Sequence, residues 1–185
     1  SGSAESTNLK ASSADWITMA SSFSRDFAYQ VGRQTALEMR ATGSHWAFTP
    51  NVDVLRDPRW GRVGETFGED PKRVAEKGLA LMKGHQQEGI LTTGKHFPGH
   101  GDTSKDSHKT LPTVNFDLSR LEKLELFPYK KLVEQGLSAV MTAHLNVPAI
   151  TLSDDPTSLS NAVVTQVLKQ KIGFNGLAVT DALKI

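Results

Sequence analysis

The 185-residue sequence contains no cysteine, which excludes disulfides, thiolate metal sites and cysteine nucleophiles. It also lacks an excess of charge of either sign, because 21 lysines and arginines nearly balance 20 aspartates and glutamates. A dedicated surface for nucleic acid or an anionic membrane is therefore not expected. No apolar run approaches the roughly 20 residues that span a bilayer. The sequence predicts a soluble protein, and the absence of cysteine fits a reducing or an oxidising compartment.

The composition, with 38% hydrophobic and 22% charged residues, is typical of a globular protein and fits one domain with a substantial core. The first segment, SGSAESTNLKASS, is small and polar. We interpret residues 1–13 as a tail or tag and expect residues 14–185 to form the folded domain.

Short apolar runs alternate with helical patterns along the domain, which predicts an α/β fold with a parallel sheet. Predicted strands cover residues 16–20, 45–54, 90–97, 138–147 and 176–181. Predicted helices cover residues 24–42, 70–87, 118–134 and 161–170. Pro128 is expected to kink or divide the third helix.

Polar side chains occur where four of the predicted strands end. They are Asp53, the pair Lys95 and His96, then His144, and finally Asp181. Because functional groups gather at the carboxyl ends of parallel strands, this repetition predicts one shared site.

The stretch KHFPGHGDTSKDSH, residues 95–108, carries three of the six histidines and two aspartates on a segment with glycine and proline. Its histidines and aspartates could ligate zinc or iron, although their spacing does not match two ligands on one helix face. Alternatively, Asp106 could hold one ring nitrogen of His108, two residues later, and leave the other nitrogen for proton transfer. A nucleophile would then be needed elsewhere, and Asp181 is a candidate.

Four segments of the chain resemble glycoside hydrolase family 3, in the branch that contains bacterial β-N-acetylglucosaminidases. They are NVDVLRDPRWGRVGETFGEDP, KHFPGHGDTSKDSHKTLP, AVMTAHLNVPAI and GFNGLAVTDAL, in the order expected of the family. The resemblance covers residues 16–185 and implies a TIM-like (β/α)₈ barrel. Because only about five βα units can be counted, we expect an incomplete barrel that needs its remainder or a further domain.

The resemblance also implies a role for each matching residue. Asp181 matches the nucleophile of a retaining glycosidase, and His108 matches the acid/base, with Asp106 as its orienting partner. Lys95 and His96 match residues that bind sugar hydroxyls. Arg62 is expected to join them, and Asp53 and His144 are further candidates for substrate binding. No metal or organic cofactor is implied.

The predicted activity is therefore hydrolysis of terminal β-linked N-acetylglucosamine, with a carbohydrate as the partner. The loop that contains PRWGR looks more like the β-glucosidase branch, so a β-glucosidase or β-xylosidase is an alternative. We interpret Glu65 and Glu69 of that loop as ordering residues. Phosphorolysis, a non-catalytic sugar-binding piece and a metal-dependent hydrolase are further alternatives. The bacterial cytoplasm, the periplasm and secretion all stay open.

Overall fold

A parallel sheet forms the centre of the protein. The computed structural model describes residues 24–103, 111–115, 117–151 and 155–183. The sheet has the order β1-β2-β3-β4, and its strands are β1 Trp46–Ala47, β2 Leu91–Phe97, β3 Ala139–Thr142 and β4 Leu177–Thr180. Every strand pairs in parallel with its neighbour in the sequence. The prediction of an α/β fold with a parallel sheet is confirmed for the described residues.

Helices connect the strands, and two of them pack against the central strand β2. They are α1 Arg25–Ala41, α2 Pro71–Gln87, α3 Leu118–Lys123, α4 Leu126–Val133, α5 Pro148–Thr151 and α6 Ala162–Lys171, the last with π-type hydrogen bonding. The caps explain several starting points. The side chains of Ser24 and Asp70 accept hydrogen bonds from the first turns of α1 and α2. Both helices therefore begin where the sequence predicts.

Two predictions of secondary structure need correction. The predicted strand 45–54 is regular only at Trp46–Ala47, and it continues as an irregular segment with one isolated bridge from Asn51 to Lys95. The predicted helix 118–134 is broken at Leu124 and Glu125, whereas Pro128 lies inside α4. Proline is tolerated there because the backbone N–H groups in the first turn of a helix have no acceptor within the helix, so the missing N–H of proline breaks no hydrogen bond. The predicted strand 16–20 lies outside the described residues.

A β-bulge interrupts β2 at its carboxyl end. Lys95 pairs with Met141 and Phe97 pairs with Thr142, so His96 is the extra residue in this strand. A bulge re-aims a side chain that would otherwise alternate with its neighbours. Beneath it, Phe97 packs edge-to-face on Tyr129 of α4, with ring centroids 5.1 Å apart, in the main hydrophobic core. The bulge thus places His96 on a firmly packed support.

Candidate active site

A buried pair, Asp53 and His96, forms the base of the candidate site. The carboxylate oxygen Oδ2 of Asp53 lies 2.7 Å from Nδ1 of His96, and the two side chains are at most 1% exposed. The other oxygen, Oδ1, accepts hydrogen bonds from the backbone N–H groups of His96 and His100. The carboxylate of Asp53 is therefore enclosed by protein atoms and is not accessible to a ligand.

The hydrogen-bond partners of His96 define its tautomer. Nε2 lies 2.8 Å from Nη1 of Arg62. Because a guanidinium can only donate, Nε2 accepts this bond and the ring hydrogen is on Nδ1, where it is donated to Asp53. The imidazole consequently links a buried carboxylate to a cation that lines the site.

Arg62 is oriented by Glu65 as well as by His96. Its Nε and Nη2 atoms donate to the carboxylate of Glu65, with a shortest distance of 2.7 Å. Burial raises the pKa of Glu65, but the hydrogen bonds and charge of Arg62 outweigh it, so the pKa is lowered overall. The positive charge of Lys95 contributes in the same direction. This ion pair fits the prediction that Glu65 orders the loop.

Asp181 follows β4 directly and faces this cluster. Its Oδ2 atom lies 3.7 Å from Nε2 of His96 and 3.9 Å from Nη1 of Arg62. Its backbone N–H donates to the carbonyl of Thr142 at the end of β3. The side chain is 16% exposed, so the carboxylate can be reached from solvent although it lies against the guanidinium of Arg62.

His144 contacts the backbone around Asp181 and not its carboxylate. Its Nε2 atom lies 3.0 Å from the carbonyl oxygen of Ala182 and 3.3 Å from that of Asp181. Nδ1 lies 2.8 Å from the hydroxyl of Ser158. Both ring nitrogens are thus bonded to protein atoms.

The structure brings together the side chains that follow three of the four predicted strands, whereas His144 contacts the backbone of Asp181 and Ala182. Asp53, His96, Arg62 and Asp181 form one connected cluster, and Lys95 is close enough to Glu65 to affect its pKa. The predicted dyad, Asp106 and His108, lies outside the described residues. The sequence did not indicate that Ser158 would contact His144, because a single serine in a polar loop forms no recognisable pattern.

The glycines of the 95–108 stretch are required by close packing. Gly99 has φ +133°, and a β-carbon there would lie 2.7 Å from Cβ of Glu125. A β-carbon on Gly101 would overlap the carbonyl oxygen of Val54. Both glycines are buried. Their presence is explained by these contacts without a hinge.

His100, in the same stretch, is buried against Thr103 and Trp60. Its Nδ1 atom lies 2.8 Å from the hydroxyl of Thr103, and its ring centroid is 5.6 Å from that of the buried Trp60. Burial lowers the pKa of His100, and the charge of Asp53 only partly offsets this effect. His100 is therefore a packed, uncharged residue that supports the loop.

In the part of the chain that the structure describes, no three side chains of histidine, aspartate or glutamate converge as metal ligands would. No helix in those same ranges has both the length and the apolar character needed to cross a bilayer.

Comparisons with known proteins identify relatives of this chain. A profile described as the glycosyl hydrolase family 3 N terminal domain matches residues 7–185. A curated beta-hexosaminidase of Neisseria meningitidis serogroup C is 37% identical over 172 residues. That match covers 91% of this chain and 46% of the relative, so the chain spans about half of the relative's length.

Solved structures are similar over most of this chain. A glycoside hydrolase family 3 beta-N-acetylglucosaminidase from Paenibacillus sp. FPU-7 superimposes with a TM-score of 0.88 at 36% identity, over 90% of this chain and 32% of its own. The beta-glucoside phosphorylase BglX superimposes with a TM-score of 0.89 at 29% identity, over 92% of this chain and 32% of its own. The family resemblance seen in the sequence motifs is confirmed.

Proposed function

Because the chain belongs to glycosyl hydrolase family 3, we propose that it supplies the catalytic site of a retaining exo-β-N-acetylglucosaminidase. The substrate is a glycan or glycoside with a terminal β-linked N-acetylglucosamine. The names of the relatives from Neisseria and Paenibacillus support this substrate class.

The observation that carries the proposal is the environment of Asp181. A retaining nucleophile must be ionised, accessible and held in one direction. Asp181 lies at the carboxyl end of a parallel strand, is partly exposed, and faces Arg62 and His96 through Oδ2. In the first step this oxygen attacks the anomeric carbon, the bond to the aglycone oxygen breaks, and a glycosyl ester forms.

Proton transfer in both steps is assigned to His108, oriented by Asp106, on the basis of the family resemblance. His108 protonates the departing aglycone oxygen and then deprotonates the water that hydrolyses the ester. Histidine serves here in place of the second carboxylate that most retaining glycosidases use.

The cluster around Asp181 binds and orients the sugar in this proposal. Arg62 and Lys95 are the partly exposed cations that can donate to sugar hydroxyls. His96 positions Arg62, and Asp53 fixes the tautomer and orientation of His96. Asp53 therefore acts through His96, which modifies the expectation that it binds substrate directly.

We further propose that the four strands form part of a (β/α)₈ barrel. Leu177, in β4, is 53% exposed. Strands of parallel sheets are ordinarily covered on both faces, and this exposure is consistent with additional units beside β4. The likeness to long family members supports the same arrangement.

The proposal can be tested by assaying aryl N-acetyl-β-glucosaminide and aryl β-glucoside side by side, with and without a chelator. We expect preference for the glucosaminide, no effect of the chelator, and loss of turnover in Asp181→Ala. Preference for the glucoside would reject the substrate, and substantial activity of Asp181→Ala would reject the nucleophile. Loss of activity with the chelator would favour the metal-dependent alternative.

Phosphorolysis is a second candidate, and the likeness to the beta-glucoside phosphorylase BglX favours it. A neutral histidine acid/base repels an incoming anion less than a carboxylate would, so phosphate could replace water in the second step. Turnover in the presence of inorganic phosphate would then release a sugar 1-phosphate. Release of the free sugar alone, at any phosphate concentration, would leave hydrolysis as the reaction.

A further inference from the structure

We propose that His144 and Ser158 form a positioning pair that orients the nucleophile by holding the peptide bond between Asp181 and Ala182. This inference rests on the proposed role of Asp181. It assigns His144 a function different from the substrate binding that its strand-end position suggests.

The hydrogen-bond partners of His144 determine which of its ring nitrogens donates and which accepts. Carbonyl oxygens only accept, so the hydrogen of the ring is on Nε2 and is donated to Ala182 at 3.0 Å and to Asp181 at 3.3 Å. Nδ1 is then an acceptor, and the hydroxyl of Ser158 donates to it. The two carbonyls thus define the tautomer, and the hydroxyl of Ser158 satisfies the other ring nitrogen.

The peptide between Asp181 and Ala182 transmits this contact to the carboxylate. The carbonyl of Asp181 and the N–H of Ala182 belong to one planar group and point in opposite directions. The N–H donates to Oδ1 of Asp181 at 2.8 Å. Holding the carbonyl therefore also holds the donor that fixes the side chain, which leaves Oδ2 directed at Arg62 and His96.

The turn that carries Ser158 is anchored to the residues on either side of His144. The side chain of Thr157 donates to the carbonyl of Ala143 at 2.7 Å, and its backbone N–H donates to the carbonyl of Leu145 at 2.8 Å. These bonds hold Ser158 and His144 in a fixed relative position, so the pair can keep a fixed distance to the end of β4.

The test compares His144→Gln with His144→Leu in the protein. Glutamine can place a donor near the position of Nε2, whereas leucine has a similar size and no donor. We expect kcat of the leucine variant to fall about 100-fold, as when a reacting group is displaced by about 1 Å. KM should change little, because both ring nitrogens of His144 are bonded to protein atoms and neither is left for the sugar. The glutamine variant should recover most of kcat.

A fluorosugar inactivator, which forms a stable ester with the nucleophile, isolates the first step. The leucine variant should show a lower maximal rate of inactivation with unchanged affinity. Ser158→Ala, which removes a half-buried hydroxyl, should lower the same rate by a smaller factor and keeps the test decisive if His144→Leu does not fold. His45→Leu, an exposed histidine before β1, controls for the substitution itself.

The outcomes separate this inference from the proposed function. Substantial activity of Asp181→Ala would overturn both. Loss of activity in Asp181→Ala together with an unchanged kcat in His144→Leu and in Ser158→Ala would overturn the positioning pair alone. Equal losses in His144→Gln and His144→Leu, with KM raised in both, would also reject it, because the donor would then be irrelevant.

Discussion

Asp53 binds His96 at two points, through the ring and through the backbone. Oδ2 accepts the ring N–H at 2.7 Å and Oδ1 accepts the backbone N–H at 3.2 Å, while Oδ1 also accepts the N–H of His100 at 2.8 Å. One carboxylate therefore fixes the rotamer of His96 and the path of the bulged chain that follows it. This double role makes Asp53 a sensitive position for both stability and orientation.

We expect Asp53→Asn to lower the free energy of unfolding by about 1–3 kcal/mol, the cost of leaving a buried polar group unpaired. Asparagine offers one acceptor oxygen to three donors, which are the ring N–H and backbone N–H of His96 and the backbone N–H of His100. Its amide NH₂ group would face at least one of these donors and cannot accept a hydrogen bond from it. Chemical denaturation of the two proteins at pH 7 measures the difference. Equal stability would mean that the local structure relaxes to satisfy these donors.

The difference in stability between the wild-type protein and Asp53→Asn should depend on pH. Burial raises the pKa of Asp53, but the charge and hydrogen bond of His96, with a contribution from His100, lower it below its ordinary value of 3.8. The ionised form is thus favoured in the folded protein, and its stabilising effect is present above the unfolded-state pKa. As the pH falls through the lower folded-state pKa, this effect is lost.

The stability advantage of the wild-type protein over Asp53→Asn should therefore shrink below about pH 4, near the ordinary pKa of an aspartate. Urea denaturation of both proteins between pH 7 and pH 3 measures it. A constant difference across this range would show that the charge of Asp53 does not contribute.

Arg62→Lys should reduce kcat/KM about 10- to 100-fold, or by ~1.4–2.7 kcal/mol of transition-state stabilisation. Lysine cannot reproduce the planar fork that binds Glu65 through two nitrogens and His96 through a third. Steady-state assay on the aryl N-acetyl-β-glucosaminide measures this loss.

Two glutamates in the same loop provide a matched comparison for Arg62. Glu65→Gln weakens the ion pair and should give a smaller loss in the same direction as Arg62→Lys. Glu69 is exposed, and Glu69→Gln should leave kcat/KM unchanged. An equal loss in both glutamine variants would point to a general effect of charge on the loop.

Gly101→Ala should destabilise the protein by about 1–3 kcal/mol, because a β-carbon would overlap the carbonyl oxygen of Val54. This carbonyl belongs to a segment already bonded to Gly101, whose own carbonyl accepts from the N–H of Arg56 at 2.9 Å. Thermal unfolding measures the effect. Gly61→Ala, where no heavy atom lies within 4 Å of the added carbon, should be nearly neutral.

The same pair of variants distinguishes packing from loop motion. Glycine in a loop can also serve as a hinge, which here would let the loop carry His108 over the substrate. If that motion explained Gly101, the alanine variant would keep its melting temperature and lose kcat. A lower melting temperature, with activity preserved in the fraction that stays folded, would support the packing explanation.

The sequence predicted the strand-end cluster because the periodicity of apolar residues locates strands, and parallel strands align their carboxyl ends. Asp53, His96 and Asp181 met as expected for this reason. The orientation of each group was not predictable. The bulge at His96 depends on pairing with β3, and the contact of His144 with the backbone depends on the distance between β3 and β4. Both are tertiary relations that leave no pattern in the chain.

The break between α3 and α4 is another feature that sequence could not locate. Pro128 indicated a kink at its own position, whereas the helix ends before Glu125. Glu125 is only 2% exposed and packs on Gly99. The helix therefore divides where a buried side chain must reach the loop of the candidate site, and helix propensity does not report that requirement.

Glu125→Gln is expected to stabilise the protein increasingly as the pH rises above about 4.5, the ordinary pKa of a glutamate. In the described residues neither carboxylate oxygen of Glu125 accepts a hydrogen bond from another residue, and Nη2 of Arg120 lies 3.6 Å from Oε1. Burial raises the pKa of Glu125, and its own backbone N–H and the charge of Arg120 offset this only in part. The folded protein thus holds the proton more tightly than the unfolded chain does.

Stability from such a group is present below the unfolded-state pKa and is lost as the pH rises through the raised folded-state value. Glutamine stays neutral, so the variant avoids this loss. Glu122→Gln, three residues earlier, should show the opposite trend, because Lys171 lowers the pKa of that partly exposed carboxyl. Denaturation of the three proteins from pH 4 to pH 8 measures both trends. Parallel curves for Glu125→Gln and the wild type would mean that Glu125 ionises as readily in the folded protein as in the unfolded chain.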